Sequence, residues 1–270
     1  MNADFLHTTL GNTRLKVFRL GLSASYRPGK KTIYKALDEG INFFFCYGFD
    51  TQMIQVLREA IKGRREDYVI ATGAYNLMWG HPNLRRTLEK RLRQFDTDYL
   101  DLFLFLGVTW PQHFDRRVRE EYQRFREEGK VRGIGLSCHR RKFLGELAAN
   151  GDIDAMMMRY NAAHRGAEQE IFPNLSRYHP GVISYTATRW TYLLRPTRGW
   201  PKEGRIPTAG MCYRFVLSNP NVDVCLMAPS NLKQFEANLE EVRRGRLSEV
   251  DLEFMRQFGD AVHAQNKWFM

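Results

Sequence analysis

The residues best suited to ion binding or proton transfer gather in the second half of this 270-residue chain, just after short apolar runs. His139 and Arg140 follow Val131 to Ser137. Arg159, Asn161, His164, Arg165 and Glu168 cluster around the end of Ala155 to Tyr160, and Arg189 and Trp190 follow Val182 to Tyr185. Arginine presents a planar fork of donors that matches carboxylate or phosphate oxygens, and imidazole moves a proton near neutral pH. Such a set suits a small anionic ligand. Each member also has a bland role: Glu168 can pair with Arg165 or sit at the positive end of a helix, while Asn161 and His164 can brace loops. A metal site from His139, His164 and Cys138 lacks any recognised ligand spacing, so no metal is expected. In the first half, GINFFFCYGFD at Gly40 to Asp50 runs apolar and then meets Cys46, Tyr47 and Asp50. A buried parallel strand that ends in a loop reads this way, and chemistry is expected at such an end.

The elements that must carry these groups repeat one unit. Branched or aromatic runs recur at Leu20 to Ala24, Ile41 to Phe45, Tyr68 to Thr72, Leu100 to Leu106, Val131 to Ser137, Ala155 to Tyr160, Val182 to Tyr185 and Val222 to Met227. Between them lie helical patterns. Met53, Val56, Leu57, Ala60 and Ile61 share one face and stop at Gly63; Leu84, Leu88, Leu92 and Phe95 share another. Further helices are predicted over Phe114 to Glu128, Arg141 to Ala149, Ala167 to Arg177, Ala209 to Leu217 and Asn231 to Val242. Eight strand–helix units make a single (β/α)8 barrel over residues 1–270, preceded by a hairpin turning near Asn12 and followed by an extra helix that Ser248 and Asp251 begin. Function in such barrels sits where the strands end. The irregular segment Thr191 to Thr208 lies on that face and could form a lid or ligand arm, or a solvated excursion.

Composition narrows the partners. Forty-one Lys and Arg against thirty Asp and Glu give a net charge of +11, which favours anionic ligands. The basic residues are scattered over many helices, a solvated surface rather than a nucleic-acid stripe, so no nucleic-acid partner is expected. No apolar run approaches membrane-spanning length and the start lacks a signal-peptide pattern; no membrane association and a cytoplasmic location are the expectations. The four cysteines are widely spaced and read as free thiols. Cys46 and Cys138 stand at strand ends and could line a pocket or lie inert.

Several segments resemble the aldo/keto reductases in that family's order and spacing. TTLGNTRLKVFRLGLS resembles their hairpin and first strand, and DEGINFFF their second strand. GRREDYVIAT, LRRTLEKRLRQFDTDYLDLFLF, FREEGKVRGIGLS, RYN at 159–161 and QFEAN at 234–238 extend the resemblance over nearly the whole chain. The resemblance implies a TIM barrel and an NADPH-dependent carbonyl reductase with an Asp, Tyr, Lys and His tetrad. Phe45, Gly73 and Leu106 stand where it would place the Asp, Lys and His. Tyr47 is the only local candidate for the acid, and only with a gap, since the ungapped match is Asp50. Without a lysine its phenol would keep a pKa near about 10, a poor acid at neutral pH.

On the cofactor side, the resemblance assigns Ser137 to the nicotinamide amide, Tyr185 to the ring, and Ser230, Gln234 and Asn238 to the nucleotide. Cys138, Met157 and Ala237 replace the family's Asn, Gln and acidic residue, while Lys233 could reach a phosphate. The chain is therefore expected to be a divergent member with a degenerate reductase site. It would bind an anionic ligand or nucleotide, NADP included, with Arg159, Asn161, Arg165, Arg189 and Trp190 as ligand contacts and His139 and His164 available for proton transfer. Two alternatives stay open: an NAD(P)H-dependent oxidoreductase using Tyr47 or a loop residue as acid, and a non-catalytic scaffold for a protein partner.

Overall fold

The computed structural model describes residues 4–46, 50–75 and 83–265. A hairpin of β1 (His7–Thr9) and β2 (Lys16–Phe18) leads into eight parallel strands: β3 (Leu20–Ser23), β4 (Phe43–Phe45), β5 (Val69–Tyr75), β6 (Leu100–Val108), β7 (Val131–Cys138), β8 (Ala155–Arg159), β9 (Gly181–Tyr185) and β10 (Val224–Met227). They form a closed barrel in that order, β10 pairing back onto β3. The helices between them are α1 (Lys30–Asp38), α2 (Thr51–Ala60), α3 (Leu84–Phe95), α4 (Arg116–Glu127), α5 (Arg141–Asn150), α6 (Ala167–Glu170), α7 (Ala209–Leu217) and α8 (Leu232–Val242). A further helix, α9 (Glu249–Gln265), follows the barrel.

Alternation along each strand divides the apolar residues between two cores. Phe43, Phe45, Val69, Ala71, Leu102, Leu104 and Leu106 face the barrel axis with Met157, Ile183 and Leu226, all buried. Each of these side chains larger than alanine contributes about 1.5–3 kcal/mol when removed from water. Leu10 and Val17 belong to the same cluster, so the hairpin plugs the end at which the strands begin. Gly11 makes this plug close: its φ is +47°, and a Cβ there would stand 2.3 Å from the His179 carbonyl oxygen. The other core lies between strands and helices.

Helix starts follow local chemistry. Asp50 caps α2 by accepting from the amides of Gln52 and Met53, and Asn83, Asp115, Thr208 and Asn231 cap α3, α4, α7 and α8. Ser248 and Asp251 form the expected capping pair before α9, with Asp251 N donating to Ser248 Oγ at 3.1 Å. One helix is shorter than its pattern. The stretch Ala167 to Arg177 is helical only to Glu170 and then turns to a 3-10 segment over Phe172–Asn174, because Pro173 has no amide to donate and its ring obstructs the preceding turn. Among the described residues, no helix is long and apolar enough to cross a membrane.

Candidate functional site

A cavity of about 620 Å³ opens at the end where the barrel strands finish. Its walls come from the ends of β3, β8, β9 and β10, the loop after β9, and the starts of α7 and α8. Tyr185, Ser230, Gln234 and Asn238 all line it, as does Trp190. Asn231 caps α8, and Gln234 turns its side-chain oxygen back to accept the Ser230 amide at 2.9 Å, which fixes that turn against the cavity. Asn238, one helical turn on, is buried and donates to Met227 Sδ at 3.5 Å. Ser137 is also buried but is not on the lining; it sits on β7 in register with Met157, which is.

The lining is neutral among the described residues, rich in hydroxyl and amide groups and without Lys, Arg, Asp or Glu. Ser23, Ser25, Thr186, Thr188 and Tyr213 were not singled out from the sequence. The alternation that turns Gly21 inward also turns Ser23 inward, so that one was readable; its hydroxyl meets Ser25 Oγ at 2.7 Å. Tyr213 lies on α7, and only the packing of α7 beside α8 brings it in.

Arg159 and His139 stand off this lining, beside Tyr185 and Trp190, which are on it. Arg159 pairs in register with Tyr185, and its Nη2 lies 3.4 Å from His139 Nδ1. The guanidinium stands 5.6 Å from the Trp190 ring centre, and the His139 ring meets Tyr185 edge-on at 6.4 Å. Burial and the adjacent Arg159 charge hold His139 below the ordinary histidine range, so it is neutral at physiological pH. Arg140 turns away, stacking on Trp110 at 3.8 Å and donating from Nε to the Thr109 carbonyl.

The remaining expected ligand residues also stand off the lining. Arg165 donates to the Ala162 carbonyl and forms an ion pair with Asp260 of α9 at 2.7 Å. Arg189 is 1% exposed and donates to the Val262 carbonyl at 2.9 Å, holding the loop after β9 to α9. Asn161 is buried, donating to the Thr186 carbonyl and accepting from the Ala163 amide. His164 packs edge-on against His263 of α9, and burial together with Arg189, Arg159, His263 and Arg141 lowers its pKa to about 3. Its ring stands off the cavity lining. Glu168 accepts from the Tyr160 hydroxyl at 2.6 Å and pairs with Arg256 rather than with Arg165.

The same helix accounts for the long loop. Beyond Leu194, the Thr191 to Thr208 segment is fastened to α9: Trp200 packs on Phe254 and Phe258, and Arg205 pairs with Asp251. Only its first residues line the cavity. Cys46 and Cys138 are both buried, off the lining, with their thiols pushed up by burial. Asp50 is committed to its cap. Tyr47 lies outside the described residues.

The sequence profile of the aldo/keto reductase family matches residues 20–199. The chain belongs to the aldo/keto reductase family. Among this family's curated proteins, the uncharacterized oxidoreductase YqkF of Bacillus subtilis is 22% identical, over 92% of this chain and 94% of its own length. The aldo-keto reductase YhdN of the same organism is 26% identical over 62% of this chain and 57% of its own. Among solved structures, an aldo-keto reductase of Bacillus halodurans in its holo form superposes with a TM-score of 0.77 at 22% identity, covering 93% of this chain and 95% of that one. At that identity the likeness speaks for the barrel, its hairpin and its terminal helix.

Proposed function

We propose that this aldo/keto reductase-family protein binds a nucleotide of the NADP(H) class in the cleft at the start of α8 and is not a standard NADPH-dependent carbonyl reductase. The observation that carries this reading is the difference between two adjoining regions. The cavity keeps Ser230, Gln234 and Asn238 on one wall and Tyr185 on another. The barrel interior beside it holds Phe45 and Leu106, fully buried and apolar, at positions where the resemblance calls for an Asp and a His. Neither can hold or pass a proton. Gly73, at the lysine position, cannot be read as a simple truncation: a Cβ there would lie 2.0 Å from the Leu104 carbonyl oxygen. The backbone has closed over the space a lysine stem would need.

The residues present suit the nucleotide portion of such a cofactor. A capped helix start offers backbone donors and a favourable dipole to a phosphate, Lys233 stands in its first turn, and the cavity is of ligand size. The nicotinamide end fits less well, with Ser137 off the lining and Met157 and Cys138 in place of amide-bearing residues. When bound, the cofactor would supply hydride chemistry; the described residues at the top of this barrel supply no acid beside it. A holo form of the structurally similar Bacillus halodurans protein adds support for an occupied cleft.

Titrating NADPH while following its fluorescence, with a panel of aldehydes then added, tests the reading. Saturable binding without turnover is expected. Turnover that disappears in Tyr47→Phe would replace it with an oxidoreductase in which Tyr47 is the acid. Absence of both binding and turnover would favour a scaffold for a protein partner.

A further inference from the structure

Helix α3 carries cations on two faces, and their surroundings are opposite. Towards α4, Arg85 pairs with Glu121 at 3.1 Å and with Glu128 at 2.6 Å, Arg124 reaches Glu121 at 3.5 Å, and Lys130 reaches Glu89 at 2.6 Å. Each of these cations meets a carboxylate. Towards α2 lies a groove of about 410 Å³, lined by Gln55 and Arg58 of α2 and by Lys90, Arg93 and Gln94 of α3, with the buried Ile54 beneath. Three cations line it and, among the described residues, no carboxylate does. The helical period explains the gathering, since Ile54, Gln55 and Arg58 share one face of α2 and Lys90, Arg93 and Gln94 one face of α3. In the sequence these cations belong to a scattered basic surface; the packing of α2 beside α3 sets them in one groove.

The charge there is left unanswered. Lys90 and Arg93 are exposed, and neither forms an ion pair among the described residues. They stand three residues apart, about 4.5 Å along the helix axis, so like charges meet on neighbouring turns and an anion would relieve them. One end of the groove already shows what suits it: Asp96, at the C-cap of α3, places a carboxylate oxygen 3.1 Å from Arg58 Nη2, with both side chains exposed. The groove is open along the outside of the barrel, whereas a small-molecule site encloses most of its ligand. An extended polyanion that meets several cations at once fits this shape better than a single small anion.

We propose that the groove between α2 and α3 is a docking surface for an acidic peptide segment of a partner protein, whose carboxylates meet Lys90, Arg93 and Arg58 while the Gln55 amide is available to its backbone. Exposed ion pairs are individually weak and are screened by salt, so the binding is of modest affinity and falls with ionic strength. The surface shares no residue with the cavity lining, and it stands whether or not a nucleotide binds there.

Fluorescence anisotropy of a short labelled peptide of alternating Glu and Ser, compared with its counterpart carrying Gln for Glu, tests the assignment on the full chain at low salt. The Glu peptide should bind saturably and at least tenfold more tightly than the Gln peptide. Lys90→Gln combined with Arg93→Gln should weaken it at least fivefold, while Lys16→Gln combined with Lys142→Gln, which removes the same charge from exposed positions elsewhere, should change it by less than twofold. Carbodiimide coupling of the bound peptide to the unaltered protein, mapped by mass spectrometry, should join it to Lys90 ahead of other lysines, so a variant that fails to fold leaves the test intact. No saturable binding, equal affinity for the Gln peptide, equal losses in the two double variants, or coupling that spares Lys90 would each overturn the docking surface. Displacement of the Glu peptide by equimolar inorganic phosphate or by a lower concentration of duplex DNA would overturn it in favour of a small-anion or a nucleic-acid site.

Discussion

The two ends of the barrel use charge differently. Where the strands begin, Asp101, Asp154 and Asp223 each accept a backbone amide from the first half of the preceding strand, from Ile70, Ile134 and Val182. Asp101 is wholly buried and also binds Arg65 at 2.7 Å and Arg132 at 3.3 Å; the two guanidinia flank the Tyr99 ring, each 4.1 Å from its centre. Where the strands end, the cavity lining carries hydroxyl and amide groups and, among the described residues, no Lys, Arg, Asp or Glu. The beginning of the barrel thus ties these carboxylates to fixed partners and secures the fold, while the end surrounds a neutral cavity, as a binding face does.

That contrast gives its largest test at Asp101. Asp101→Ala removes the acceptor of two guanidinia and an amide, and should cost about 3–5 kcal/mol in urea unfolding. Gln234→Ala, at the other end, frees only the exposed Ser230 amide and should cost less, about 1 kcal/mol, while weakening NADPH binding. Gly73→Ala tests the boundary between the two. It should destabilise by about 1–3 kcal/mol because the β5–β6 backbones must part, and for the same reason Gly73→Lys alone should not restore reductase activity.

The smallest effects are titrations of opposite sign. Burial of His164 first, then the nearby cations, lowers its pKa to about 3 from an ordinary 6.5. Between those values the unfolded chain binds the proton and the folded one does not, so this contribution is complete above about pH 6.5 and is lost as pH falls towards 3. Asp223 is shifted the other way, to about 6 from 3.8, by burial that its bonds from the Val182 and Gly11 amides only partly offset. Its contribution is present below 3.8 and is lost as pH rises through 6. Melting curves across pH 3–7 should therefore lose their acid-side decline in His164→Asn, and lose an opposing slope in Asp223→Asn. Identical profiles for both variants and the unaltered protein would remove any role for either group.

Much of this was legible before the fold was known. Period-two alternation dictates which face a strand residue takes, so the inward positions of Phe45, Gly73, Leu106 and Arg159 follow once the strands are recognised. Turn and cap residues behave similarly, as Asn231 before α8 and Ser248 before α9 illustrate, because their partners lie two or three residues away. The stop at Pro173 was equally local, yet the apolar pattern on either side of it overrode that signal in the reading of α6.

What the sequence determined by itself is the barrel and the apolar filling of its inner end, since both depend on short-range periodicity and on side-chain type. The tertiary structure alone decided which arginines are drawn to the terminal helix and which stand beside the cavity. Arg159, Arg165 and Arg189 are alike in sequence, all just after or at a strand end, but α9 approaches the loop after β8 so closely that a Cβ on Gly259 would stand 2.2 Å from the Ala162 carbonyl oxygen. There it takes Arg165 through Asp260 and Arg189 through Val262. Contacts across 70 residues and more leave no periodic trace, and they are what separate Arg165 and Arg189 from Arg159.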